Sequence, residues 1–270
     1  MAFIRPFKPE DSEDAKYIVS TIFFFLRFYR DANDGNSKNP QQKCRATLPP
    51  SISCSETGTR MAPYLWTLQF THLFPQNCFV LDDGAGNGHV VGYVIGVPDV
   101  WAFADAYPRY VEEVLRSEQG SRDVPAPKQL EKAEPWNLPP SSSSSGDSNP
   151  AGGAAVNPEA MAQSAYKVEW LVLDGVEGKA ELVRTYRAML HIDILPEYQG
   201  KGWGRKMIER FVESVKTVVA ESEGKLDYGK GIQLGVAGEN TKVVAFYEKL
   251  GFRVYPGGEK EGNVWMVRDL

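Results

Sequence analysis

Three cysteines and three histidines are few for a chain of 270 residues, and their scarcity excludes a good deal. Cys44, Cys54 and Cys78 form no C-x-x-C pair, so neither a disulfide framework nor a zinc site is expected. His72, His89 and His191 are too scattered for a histidine-built metal centre, and no metal is expected. Positive charge is in deficit too: 30 Lys and Arg against 35 Asp and Glu leave a formal charge of −5. No local basic run offsets that balance, so direct nucleic-acid binding is not expected. A basic or amine-bearing substrate would be attracted. Long apolar runs are missing as well. The strongest one, residues 18–26, is too short to span a bilayer and is closed by Arg27 and Arg30. The opening MAFIRPFKPED is charged and broken by prolines, unlike a secretory leader. The expectation is a soluble protein of the cytoplasm or nucleus with no membrane contact.

What is present describes a globular fold: 42% hydrophobic and 24% charged residues. Residues 3–7 read as a strand. Asp11 or Ser12 can cap a helix in which Ala15, Ile18, Val19, Ile22, Phe25, Leu26 and Tyr29 recur at helical spacing. Residues 60–74 repeat that spacing through Met61, Leu65, Leu68 and Leu73. Two strands, 78–81 and 89–97, flank the turn formers of 82–88 and predict a hairpin. Residues 99–118 read as helix, with a break or new start at Pro108. Strands are expected at 168–173, 187–195 and 231–236, and a helix at 203–221. Asn240 can cap a further helix ending near Leu250, with Gly251 as its stop, before a closing hairpin of 252–255 and 264–267.

Two stretches stand apart. Residues 31–59 are rich in Asn, Ser, Pro and Gly without a period. Residues 119–164 carry seven prolines and a serine run at 141–145, a composition that predicts little buried core. Neither flank of the second completes a sheet alone. The expectation is therefore one α+β domain over 1–270, with flexible insertions at 31–59 and 119–164.

The stretch LHIDILPEYQGKGWGR, residues 190–205, concentrates the chemistry. An alternating strand runs into a glycine turn and then a helix, which aims unpaired N–H groups and a helix dipole at one spot. A Walker loop needs Gly-Lys-Ser/Thr, but Gly204 is followed by Arg205, Lys206 and Met207. A Rossmann turn needs a third glycine where Arg205 stands. The spacing present is Q-x-x-G-x-G, with Gln199, Gly202 and Gly204. Downstream, residues 240–252 read N-x-x-x-x-A-x-x-Y-x-x-x-G-F in loose form, with Asn240, Ala245, Tyr247, Gly251 and Phe252.

Together these two motifs resemble the acetyl-CoA signature of the GNAT superfamily, and Ile4-Arg5-Pro6 resembles its usual opening. Within that superfamily, residues 190–204 look most like the branch related to the acetyltransferase-like domain of O-GlcNAcases. The resemblance implies α/β/α layers and a mixed, mostly antiparallel sheet of about 6–7 strands with about four helices, splayed at a CoA cleft. It implies acetyl-CoA as co-substrate and an amine acceptor, either a small molecule or a protein lysine or N-terminus. Gly200, Lys201, Gly202, Trp203, Gly204 and Arg205 would cradle the pyrophosphate behind Gln199. Ile192 and Ile194 would hold pantetheine through their backbone, with Asn240 and Phe246 also at the cofactor. Tyr247 would be the general acid toward the leaving thiolate. His191 and Asp193 share one strand face, and either could be the base, with Glu169 on the preceding strand a remoter choice. A monomer or homodimer is expected. The competing reading is a weak or inactive CoA-binding or protein-interaction module of the same fold.

Overall fold

β3 (Val90–Val97) is buried at every one of its positions, so both faces of the sheet around it are covered. The computed structural model describes residues 1–21, 55–138, 156–173, 178–237, 243–257 and 263–270. Around β3, in chain order, stand β1 (Phe3–Pro6), α1 (Ser12–Thr21), α2 (Glu56–Trp66), α3 (Leu68–Leu73) and β2 (Phe79–Asp82). After β3 come α4 (Val100–Tyr110), α5 (Glu118–Asp123), α6 (Pro158–Tyr166) and α7 (Lys179–Thr185). The remainder is β4 (Ala188–Ile194), α8 (Trp203–Glu221), β5 (Gly231–Ala237), α9 (Val244–Glu248), β6 (Arg253–Val254) and β7 (Asn263–Asp269). The strands form a 7-stranded sheet in the order β1-β2-β3-β4-β5-β7-β6. Every neighbouring pair is antiparallel except β4 and β5.

Side-chain alternation divides the core between the two faces. Tyr93, Ile95 and Val97 point into a cluster built with α1, α2, α3, α4 and α6. Leu190, Ile232, Leu234 and Val236 point the other way, onto Met207, Ile208, Phe211, Val212 and Val215 of α8. Those five positions make one stripe of a helix, and Arg210, Glu213 and Lys216 stay outside. The result is a helix–sheet–helix sandwich of the expected α+β class.

Several elements depart from the sequence reading. Residues 60–74 form two helices, not one, because the chain leaves helical geometry at Thr67. Pro108 does not interrupt α4, which runs on into a π-helical turn, Val111–Leu115. Residues 168–173 are no strand: Glu169–Leu173 is a π-helical turn that buries Val172 and Leu173 among helices. Glu169 is therefore exposed on a turn rather than on a strand beside the site. Nine α-helices occur among the described residues, where about four were expected. Part of the excess comes from 119–164. Its residues 119–138 and 156–164 carry α5 and most of α6, and Val124, Val156 and Met161 enter the main core. The apolar residues are spaced too widely among prolines for a periodic signal. The expected course of 22–29, and all of 31–54, lie outside the described residues.

Asp99 joins three parts of this frame. It caps α4 by accepting from Trp101 N, and it accepts the Arg187 guanidinium at 2.6 Å and Asp227 N at 3.1 Å. The carboxylate is 1% exposed, so its hydrogen bonds are made away from water. Asp99→Asn keeps the cap but leaves Arg187 without its buried countercharge. It should cost about 2 kcal/mol in a urea unfolding titration.

Candidate active site at the opening between two strands

β4 and β5 run parallel but pair only at Ala188 with Ile232 and Met189 with Gln233. Both strands continue, β4 to Ile194 and β5 to Ala237, so beyond Met189 they part. On its other edge β4 stays paired with β3 from Val97–Met189 to Gly92–Ile194. Among the described residues, the parting leaves backbone groups of residues 190–193 without a strand partner on one side, open to a ligand.

At the mouth of that opening the chain turns through Gly200 and Gly202, with φ of 70° and 82°. Left-handed geometry of this kind favours glycine. Gly202 is the N-cap of α8, and no side chain caps the helix. The first-turn N–H groups are thus open at the positive end of a 19-residue helix. A Cβ placed on Gly200 or Gly202 would meet nothing within 4 Å, so the space over the turn is vacant. Lys201, Arg205 and Lys206 are exposed around it. Gln199 donates its amide to the Ile194 carbonyl at 2.7 Å, which pins the turn to the end of β4. Arg205 donates to the Lys249 carbonyl at 3.1 Å. Phe246 lies over Gly204, where a Cβ would come 2.8 Å from its ring. These last two contacts bring α9 against the start of α8. Trp203 is half-buried, with the Lys206 ammonium 4.6 Å from its ring.

The two sides of the opening carry the titratable groups. His191 and Asp193 share the face opposite α8, as alternation requires. His191 Nδ1 is 3.1 Å from the Trp66 carbonyl, which can only accept, so Nδ1 carries the hydrogen. Nε2 then lies 3.4 Å from Asp193 Oδ2, an ion pair when both ring nitrogens carry hydrogen. Tyr93 donates its hydroxyl to the same Oδ2 at 2.6 Å. Burial pushes the Asp193 carboxyl above its ordinary range, against the opposing effects of His191 and the Tyr93 hydrogen bond. Tyr247 sits with the α8 cluster, its ring against Phe246 at 5.1 Å and Phe252 at 5.6 Å. Burial first, and then the Asp193 carboxylate, hold its phenol well above the usual tyrosine range. Tyr247 thus lies within electrostatic reach of Asp193, although the two side chains belong to opposite faces of the sheet.

Residues 167–254 match the acetyltransferase (GNAT) domain family. Over those residues the chain is similar to GNAT acetyltransferases. Among solved structures, SsHAT aligns over 99% of this chain and 98% of its own, at 24% identity and a TM-score of 0.62, and shares the fold. A protein from Pyrococcus horikoshii OT3 aligns over 100% and 99% at 13% identity and a TM-score of 0.47. The GNAT domain of S. lividans PAT aligns over 100% and 90% at 12% and 0.42.

On this scaffold most of the residues singled out from the sequence lie around the parting of β4 and β5, with two exceptions. Gln199, Gly200, Lys201, Gly202, Trp203, Gly204, Arg205 and Phe246 gather at the mouth, Ile192 and Ile194 line the edge, and His191, Asp193 and Tyr247 flank the gap. Glu169 is on a different element, and Asn240 lies outside the described residues. Tyr93, the Trp66 carbonyl and Lys206 were not foreseen. Among the described residues no group of three or more His, Cys, Asp or Glu is placed to hold a metal. No helix among them is long and apolar enough to cross a membrane.

Proposed function

We propose that this GNAT domain is an acetyl-CoA-dependent N-acetyltransferase that moves acetyl to an amine by direct attack in a ternary complex. The observation that carries this reading is the coincidence of three features at one opening. These are unpaired β4 backbone, an uncapped glycine-led helix start, and a carboxylate within electrostatic reach of a buried phenol. The open positions beside Gly200 and Gly202, the uncapped first-turn amides and the nearby cations suit a pyrophosphate by charge. Acetyl-CoA bound there supplies an activated thioester.

The chain's own residues divide the proton work. Asp193 takes a proton from the acceptor nitrogen as its bond to the acetyl carbon forms. The β4 edge offers N–H groups to the developing oxyanion. Tyr247 gives its hydroxyl proton to the sulfur as the C–S bond breaks; before the next cycle Asp193 releases its proton to solvent and Tyr247 takes one back. The acceptor is a small-molecule amine or a protein lysine or N-terminus, and the working form is a monomer or homodimer of the cytoplasm or nucleus.

The base must be ionised, and its carboxyl is raised by burial, so activity should fade with acidity sooner than an ordinary aspartate allows. The low-pH limb of kcat/KM is expected above the usual aspartate midpoint of about 3.9. Amine-dependent thiol release from acetyl-CoA, followed from pH 4 to 9 against a panel of amines, tests the assignment. Tight CoA binding with no turnover on any amine would instead favour a binding module of the same fold.

A further inference from the structure

Both protein partners of the Asp193 carboxylate converge on one of its oxygens. The Tyr93 hydroxyl donates to Oδ2 at 2.6 Å, and His191 Nε2 faces Oδ2 at 3.4 Å. Oδ1 takes no protein partner among the described residues, yet the side chain is only 10% exposed. An ionised carboxylate offers about four acceptor sites, so this asymmetry leaves one oxygen bare and basic in a largely dry setting. The partner that imposes it is itself rigidly held. Tyr93 is 0% exposed in the middle of β3, in register with Asp193 across the β3–β4 ladder. Its ring meets His191 edge-on at 5.6 Å. His191 is in turn fixed by the Trp66 carbonyl at the end of α2. Around Asp193 the titratable groups are thus His191 on its own strand, Tyr93 on β3 and Tyr247 across the gap on α9.

We propose that Tyr93 is a positioning residue for acetyl transfer: by donating to Oδ2 of Asp193 it orients the carboxylate so that Oδ1 receives the acceptor's proton. The inference rests on the reading of Asp193 as the base. Tyr93 touches neither substrate and is held in place by core packing. Its hydroxyl acts only through Asp193, in two ways. It fixes the rotation of the carboxylate, and it stabilises the ionised form, keeping a buried base available at neutral pH. The proton path is balanced without Tyr93 ionising: the amine proton goes to Oδ1 and the N–C bond forms as C–S breaks; sulfur takes its proton from Tyr247, which regains one from solvent as Asp193 releases its own.

Tyr93→Phe preserves the ring and removes the donor. With the stabilising hydrogen bond gone, Asp193 should hold its proton more tightly. The low-pH limb of kcat/KM should then move up by about one pH unit, a tenfold change in proton affinity. At neutral pH kcat should fall about tenfold, with CoA affinity unchanged. A second readout needs no turnover. In protein carrying 13C-labelled aspartate, the Asp193 Cγ signal, identified by its loss in Asp193→Asn, should show the same upward move of its titration midpoint in Tyr93→Phe. An unchanged midpoint in folded Tyr93→Phe, or a lowered melting temperature with no move of the pH limb, would overturn the proposal and make Tyr93 a structural residue. Full activity in Asp193→Asn would overturn the base assignment itself, which separates that failure from this one.

Discussion

Tyr247→Phe is expected to lower kcat about 10³-fold, within the usual range for loss of a general acid, while CoA affinity stays within about threefold. Phenylalanine keeps the ring that packs between Phe246 and Phe252, so the substitution removes one O–H and little else. That O–H is present at every working pH, while the same burial makes it a weaker acid than a free phenol. Burial and the neighbouring Asp193 carboxylate both disfavour the phenolate, and they act in the same direction. The phenol therefore stays protonated through and beyond the range where a free tyrosine, near pH 10, would ionise. The sign of the effect makes a second check. Activity of the unmodified protein should show no high-pH decline from this group up to about pH 10. Single-turnover thiol release at pH 7 and pH 9.5 measures both. A Tyr247→Phe protein that turns over at the normal rate would remove Tyr247 from the chemistry and return it to packing.

The motifs at the mouth were legible in the sequence because glycine spacing is a local constraint. Gln199, Gly202 and Gly204 read as a turn before a helix, and α8 begins at Trp203, where the amphipathic pattern starts. The parting of β4 from β5 was reached only through family resemblance, since no residue pattern shows where a parallel ladder stops. Tyr93 was invisible for a different reason. It sits in the run VVGYVIGV, whose physical signature is a strand buried on both faces, and a hydroxyl inside such a run reads as packing. Its bond to Asp193 joins residues a hundred positions apart, which only the β3–β4 register brings together. Residues 168–173 misled in the opposite sense. Val168, Leu171, Val172 and Leu173 have strand composition, but helices α4, α6 and α7 bury them, and an apolar run of that length suits either state. In the proline-rich stretch 119–138, composition averages conceal single anchors such as Val124 and Trp136.

Gly202→Val should weaken CoA binding by about a hundredfold, equivalent to roughly 2.7 kcal/mol, and should destabilise the fold besides. Two effects act together at this position. Gly202 has a φ of 82°, a region that a β-branched residue reaches only at a cost of about 1–3 kcal/mol. The new side chain would also enter the vacant space above the open first-turn amides of α8, where a pyrophosphate would have to approach. Gly204→Ala separates these causes. Its Cβ meets only the far edge of the Phe246 ring, which is 38% exposed and able to swing aside, so the turn and its amides survive. Binding there should fall less than about fivefold, below 1 kcal/mol. Titration calorimetry with CoA, alongside urea unfolding of each variant, distinguishes a blocked cradle from a weakened fold. If Gly202→Val binds CoA as the unmodified protein does, the turn is not the pyrophosphate site, and the cations around it must serve another anion.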